Sequence, residues 1–171
     1  MIAIAAAALI AVVSVIFLLK QVTEAAHCRR KLLSLYSNIH IHTTRHAGHH
    51  AADIIAVATC RNSALLGVEM THARSNYWIS VLLTCKPGAK RSLTTTNAAL
   101  ESDYIYINWE QFFGTNYPPN YPLMYDRHMR NHWGMGVNVL TTDGRRFWDY
   151  RVRWLRDFAQ KHPEYELLLP D

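Results

Sequence analysis

Histidine is the residue type in this 171-residue chain best placed to do chemistry, and its distribution is uneven. Six of the ten histidines fall between His27 and His50. On a helix, His42, His46, His49 and His50 would share one face. The i,i+4 pairs His42/His46 and His46/His50 could then both reach one Zn²⁺, Ni²⁺ or Cu²⁺, with Asp53 or Cys60 as later ligands. The second group is Asp126, His128 and His132, where His128/His132 again stand at i,i+4. That group offers a base with an orienting carboxylate, or two metal ligands. Both groups have a plainer explanation. Gly48 weakens a helix through the first tract, and a solvated linker accounts for the same residues. Histidines covering aromatic neighbours such as Trp133 account for the second.

Sequence motifs do not sharpen either possibility. The chain has no HExxH, paired CxxC or GxxxxGK[ST], and Gly134-x-Gly136 is too short for a dinucleotide fingerprint. Ser63, Ser75 and Ser80 sit in no GxSxG elbow. The expectation is therefore a non-catalytic chain with no resident cofactor or metal. If a metal binds, its candidate ligands are His42, His46, His49, His50, His128 and His132.

What must position these residues begins with the N-terminus. Residues 1–19 read MIAIAAAALIAVVSVIFLL, without a charged side chain, and Lys20 closes the run. At about 1.5 Å rise per residue such a helix spans roughly the 30 Å hydrocarbon core of a bilayer, where a helix alone satisfies its own backbone. A signal peptide would carry a basic stretch ahead of the apolar run, and none precedes it in this sequence. Residues 1–20 are thus expected to be a single transmembrane helix. Val22, Ala25, Cys28 or Arg29, Leu32, Leu33 and Tyr36 extend the helical spacing over 21–37. Ser37-Asn38 offers a stop, and 38–52 reads as a His-rich linker.

Charge sets the expected orientation and partners. Residues 1–50 carry five Lys/Arg against one acid, and residues 51–171 carry thirteen against twelve. The excess is juxtamembrane, so Lys20, Arg29, Arg30 and Lys31 would meet anionic headgroups. Positive flanks stay on the cytoplasmic or organelle-matrix side, and the soluble domain is expected there. A near-neutral domain does not suit nucleic acid. An odd cysteine count, Cys28, Cys60 and Cys85, fits a reducing compartment, with Cys60 and Cys85 expected as reduced core residues.

Residues 53–171 suffice for one α+β domain with a mainly antiparallel sheet and a C-terminal amphipathic helix. Asp53–Cys60, Ala64–Met70, Tyr77–Cys85 and Tyr104–Trp109 are strand-like, and the middle pair reads as a hairpin. Lys86-Pro87-Gly88 ends it. Gly114–Pro122 is a turn-rich connector, and Pro122 suits the first turn of a short helix to about Trp133. Val137–Leu140 then reads as a strand before the Thr142-Asp143-Gly144 turn. Phe147, Tyr150, Trp154, Leu155 and Phe158 form one helical stripe, with Asp149, Arg153 and Asp157 exposed beside it. Tyr117, Tyr121 and Tyr125 are the candidate interface residues. The chain reads as an accessory subunit of a membrane complex, binding the bilayer and other membrane subunits.

An apolar N-terminus, a long continuous helix and a β-rich head together resemble the type IV pilins and pseudopilins. Ala5 stands where those proteins carry the glutamate used in assembly. The resemblance implies a head outside the membrane rather than on the positive side.

Overall fold

In the computed structural model, residues 2–58, 82–85 and 101–171 are described. Helix α1 (Ile2–Arg45) is one unbroken element of 44 residues. It has no glycine or proline to interrupt its backbone ladder, and it ends where Ala47 and Gly48 take positive φ. The expected stop at Ser37-Asn38 is overrun because Asn38 and Ile39 are buried on the head. Packing overrides the weak local stop signal, so His40 and His42 lie on the helix.

Two halves of α1 meet different surroundings. From Leu9 to Leu19 every Leu, Ile, Val and Phe is exposed, as is Val22. Among the described residues this is the one helix long and apolar enough to cross a membrane. Beyond it, Cys28, Leu32, Leu35 and Ile39 are buried at i, i+4, i+7 and i+11. Leu33, expected on that stripe, is exposed, and Leu35 takes its place.

The stripe packs on a four-stranded antiparallel meander ordered β1-β2-β3-β4. Its strands are β1 (Tyr104–Tyr106), β2 (Pro122–Asp126), β3 (Gly136–Thr141) and β4 (Arg146–Tyr150). One face carries Met124 and Leu140 with Leu32, Leu35 and Ile39 of α1. The other carries Ile105, Tyr125, Val137 and Val139 with Val152 and Leu155. Leu155 belongs to α3 (Arg153–Lys161), which closes the second face. A single turn, α2 (Glu110–Phe113), lies between β1 and β2. The layout is α+β, a small antiparallel sheet between a long helix and a short one.

Several elements differ from their sequence reading. Residues 54–58 are helical rather than extended, because Asp53 Oδ1 accepts the backbone N–H groups of Ile55 and Ala56 as an N-cap. The expected short helix from Pro122 is strand β2, paired on both edges. Proline is tolerated as its first residue. Only a 3₁₀ turn, Met129–His132, follows. The C-terminal stripe splits: Phe147 and Tyr150 lie on β4, while Trp154, Leu155 and Phe158 lie on α3. Asp149 is buried, not exposed. Its carboxylate accepts the N–H groups of Trp154 and Leu155, each at 3.0 Å, and so starts α3. The 64–70/77–85 hairpin, apart from 82–85, and the 86–88 turn lie outside the described residues. So does Cys60.

Gly136 is required by close approach. A Cβ there would run into the Asp149 carbonyl and the Trp148 ring across the β3–β4 pair. Leu155→Ala should cost about 2–5 kcal/mol in denaturant unfolding of the detergent-solubilised chain, since it empties a buried site. Exposed Arg156→Ala should stay within about 0.5 kcal/mol.

Candidate functional site at the helix–sheet junction

Four side chains from four segments converge where α1 crosses the sheet. Cys28 comes from α1, Asp126 from the end of β2, and His132 from the 3₁₀ turn. Cys85 comes from the segment 82–85, which docks beside β1 through Asp103 N–H donating to the Leu83 carbonyl at 2.8 Å. All four are buried. Cys28 and Cys85 form a disulfide with Cα atoms 5.3 Å apart. Cys85 therefore pairs with Cys28, not with Cys60, and the odd count no longer argues for a reducing compartment.

Asp126 is the polar hub. Its Oδ2 accepts the backbone N–H of Asn138 at 2.6 Å, the Asn138 side-chain amide at 2.9 Å and His132 Nε2 at 2.8 Å. Its Oδ1 is buried with no hydrogen-bond partner, as is His132 Nδ1. Asn138 Nδ2 also lies 3.5 Å from the Ala25 carbonyl of α1. His132 Nε2 is 3.6 Å from Cys85 Sγ as well. The same ring nitrogen faces both sulfur and carboxylate, so this is not a Cys-His-Asp relay, in which the acid holds the other nitrogen. Near this hub the buried Tyr104 phenol is pushed well up by burial, then by the charges of Asp126 and Asp103.

Beside the cluster opens an apolar groove of about 410 Å³ between Leu18, Val22 and Ala25 of α1 and Met135, Trp148 and Tyr150 of the head. His132 and Asn138 reach its wall. Trp133, held in the left-handed region at φ 58°, packs edge-on against Phe17 with ring centroids 4.5 Å apart. The head therefore touches α1 at the level of its uncharged run.

The other expected site residues are scattered. His42 and His46 stack at 4.1 Å on the end of α1. Burial, and then the neighbouring His46, hold His42 below its ordinary pKa. His49 Nδ1 lies 2.5 Å from Glu110 Oε1, and the His50 backbone N–H donates to Glu110 Oε2 at 2.9 Å. The tract is thus a strap pinned to α2, not a loose linker. His128 is tied to the terminal Asp171 side chain, away from the Asp126–His132 pair. Tyr125 is fully buried and donates its hydroxyl to the Leu168 carbonyl at 2.6 Å, which removes it as an interface residue. Tyr121 joins the aromatic cluster around Trp109, and Tyr117 leans on His50 at 4.2 Å. Sequence reasoning found His132 and Asp126 but missed Cys28 with Cys85, since a separation of 57 residues carries no local signal.

No protein-family profile, curated protein or solved structure matches this chain.

Two outcomes follow from this geometry. Reducing the Cys28–Cys85 bond reopens a loop of 57 residues, and the chain should lose about 4 kcal/mol of unfolding free energy by the chain-entropy relation. Unfolding curves with and without a phosphine reductant measure this. The His49–His50 strap should loosen in acid. Burial holds His50 below its ordinary 6.5, so the unfolded chain binds that proton first and stability falls as pH drops below about 6.5. Hydrogen bonds from His49, then from the His50 backbone, hold Glu110 below 4.5. Its contribution is present above 4.5 and is lost as pH falls through the lowered value. Amide exchange at residues 49–50 should accelerate in those two steps, and Glu110→Gln should remove the second.

Proposed function

We propose that this chain is a single-pass, membrane-anchored structural subunit of a larger membrane assembly, built on a pilin-like plan. The observation that carries the reading is the division of α1. Nine large apolar side chains between Leu9 and Leu19 are exposed, with Phe17 meeting an aromatic ring of the head, Trp133. Leaving them in water forfeits on the order of 10 kcal/mol, at about 25 cal/mol per Å². That is comparable with the whole stability of a domain. A bilayer, or the helices of other subunits within it, removes the cost. The same helix continues into the head core, so the head is held at a set height above the anchor.

The head's side is read from two opposed signals. Charge favours the cytoplasmic or matrix side. Yet of the four basic residues, Lys31 donates to the Thr84 carbonyl and Arg29 to the Arg146 carbonyl at 3.2 Å. Two of the four thus serve the head's own fold rather than retention by headgroups. Against them stands the buried Cys28–Cys85 disulfide, which belongs to oxidising surroundings. The disulfide is the more specific signal, and the head is assigned to the oxidising side, as the pilin resemblance implies. Half-buried Tyr117 and exposed Phe112, Trp133 and Trp148 supply the surface for neighbouring subunits.

Protease added to sealed cells or vesicles of known orientation tests the assignment. Digestion of the head from the exterior or periplasmic side, together with a Cys28–Cys85 linked peptide in non-reduced digests, is the expected result. Full protection of the head with both thiols free for alkylation would reverse it.

A further inference from the structure

We propose that the dithiol form of the Cys28–Cys85 pair is a zinc site completed by His132 and Asp126. Every chain is synthesised with thiols, so this state exists before the disulfide closes, whichever side of the membrane the head reaches.

Convergence is the first ground. One ligand atom from each of the four residues lies within 4.8 Å of the other three, and all four residues are buried. Tetrahedral zinc, with bonds of about 2.3 Å to sulfur and about 2.0–2.1 Å to nitrogen or oxygen, places its ligands about 3.3–3.8 Å apart. Cys85 Sγ and His132 Nε2 already stand 3.6 Å apart. His132 Nε2 and Asp126 Oδ2, now at 2.8 Å, need open by only about half an ångström. Breaking the sulfur–sulfur bond lets the two thiols part to the same spacing.

Unsatisfied chemistry is the second ground. Asp126 is fully buried, and its Oδ1 has no hydrogen-bond partner. A buried carboxylate with one oxygen bare is costly, and a cation held at Oδ2 would neutralise the charge of the whole group. His132 Nε2 faces a sulfur and a carboxylate at once, an arrangement that one ion placed between them satisfies together. Two cysteines, an imidazole and a carboxylate form the sulfur–nitrogen donor set that selects zinc over calcium or magnesium. His132 also lines the groove beside α1, which gives the ion a way in.

The chemistry balances simply. A phosphine donates two electrons to the disulfide and becomes its oxide with oxygen from water, leaving two thiols. Zinc then displaces one proton from each thiol and binds both thiolates. Closing the disulfide returns the two electrons to an oxidant such as a quinone-linked thiol oxidase and expels the ion. Zinc and the disulfide are therefore alternative occupants of one site.

The test uses the full chain in detergent, with zinc or cobalt alone as probe. After phosphine reduction and gel filtration, the wild type should retain one zinc per chain, and the disulfide form none. Cobalt should give the tetrahedral visible bands with a thiolate-to-metal charge-transfer absorption. That reading needs no variant and so survives if a substitution unfolds the head. Cys85→Ser should abolish retention, and His132→Gln should weaken it at least tenfold. The change His42→Gln/His46→Gln, in the tract at the far end of α1, should leave retention unchanged. A folded dithiol chain that keeps no zinc would overturn the proposal. So would retention that survives Cys85→Ser, or that disappears with His42→Gln/His46→Gln.

Discussion

The rest of the structure depends on one helix whose two halves present different surfaces, an exposed apolar run and a stripe buried on the head. Its backbone hydrogen bonds are internal throughout, so α1 can pass from an apolar medium into a protein core without interruption. What changes along its length is only the side-chain surface. Through Leu19 it is apolar all round. From Cys28 onward a narrow stripe, Cys28-Leu32-Leu35-Ile39, meets Met124 and Leu140 on the sheet. At about 1.5–3 kcal/mol for each fully buried aliphatic side chain, that stripe is a large part of what holds the head together.

The polar cluster lies at that seam and ties the layers at one point. Asp126 links β2 to β3 through Asn138, Asn138 reaches the Ala25 carbonyl of α1, and Cys85 binds its segment covalently to Cys28. Asp103 adds a further tie, its Oδ2 accepting the Cys85 N–H at 2.5 Å. A buried carboxylate surrounded by donors is costly to disturb, so these contacts fix how the sheet sits on the helix as well as adding stability. The β3–β4 turn reinforces the same geometry. Gly144, at φ 80°, leaves room for the Tyr36 hydroxyl of α1, which any Cβ would strike.

Much of the architecture was legible where the signal is local. The uncharged run, β3 with its Thr142-Asp143-Gly144 turn, and Trp154, Leu155 and Phe158 on α3 follow from periodicity and turn chemistry alone. What misled was local signal overruled by partners. Pro122 resembles a helix start, but it pairs with Thr141 of β3 as the first residue of a strand. Asp149 has the spacing of an exposed ion pair with Arg153, yet it points inward to cap α3. Asn38 looks like a stop, although the head surface carries the helix past it. The candidate site was half legible: Asp126 and His132 lie six residues apart, whereas Cys28 and Cys85 meet only through tertiary structure.

The central claim is that α1 changes solvent once, between Leu19 and Cys28, and a spin-label accessibility scan along it tests this most directly. Single labels at residues 6–45 of the chain in lipid vesicles would be read against oxygen, which partitions into lipid, and a water-soluble nickel chelate. High oxygen accessibility without periodicity is expected through Ile16, ahead of the contact between Phe17 and Trp133. Beyond Leu19 the account requires a 3.6-residue period with minima at Leu32, Leu35 and Ile39. A 3.6-residue period running unbroken from Leu9, with the chelate reaching one face throughout, would mean that the whole helix lies in water against protein, and would contradict the account.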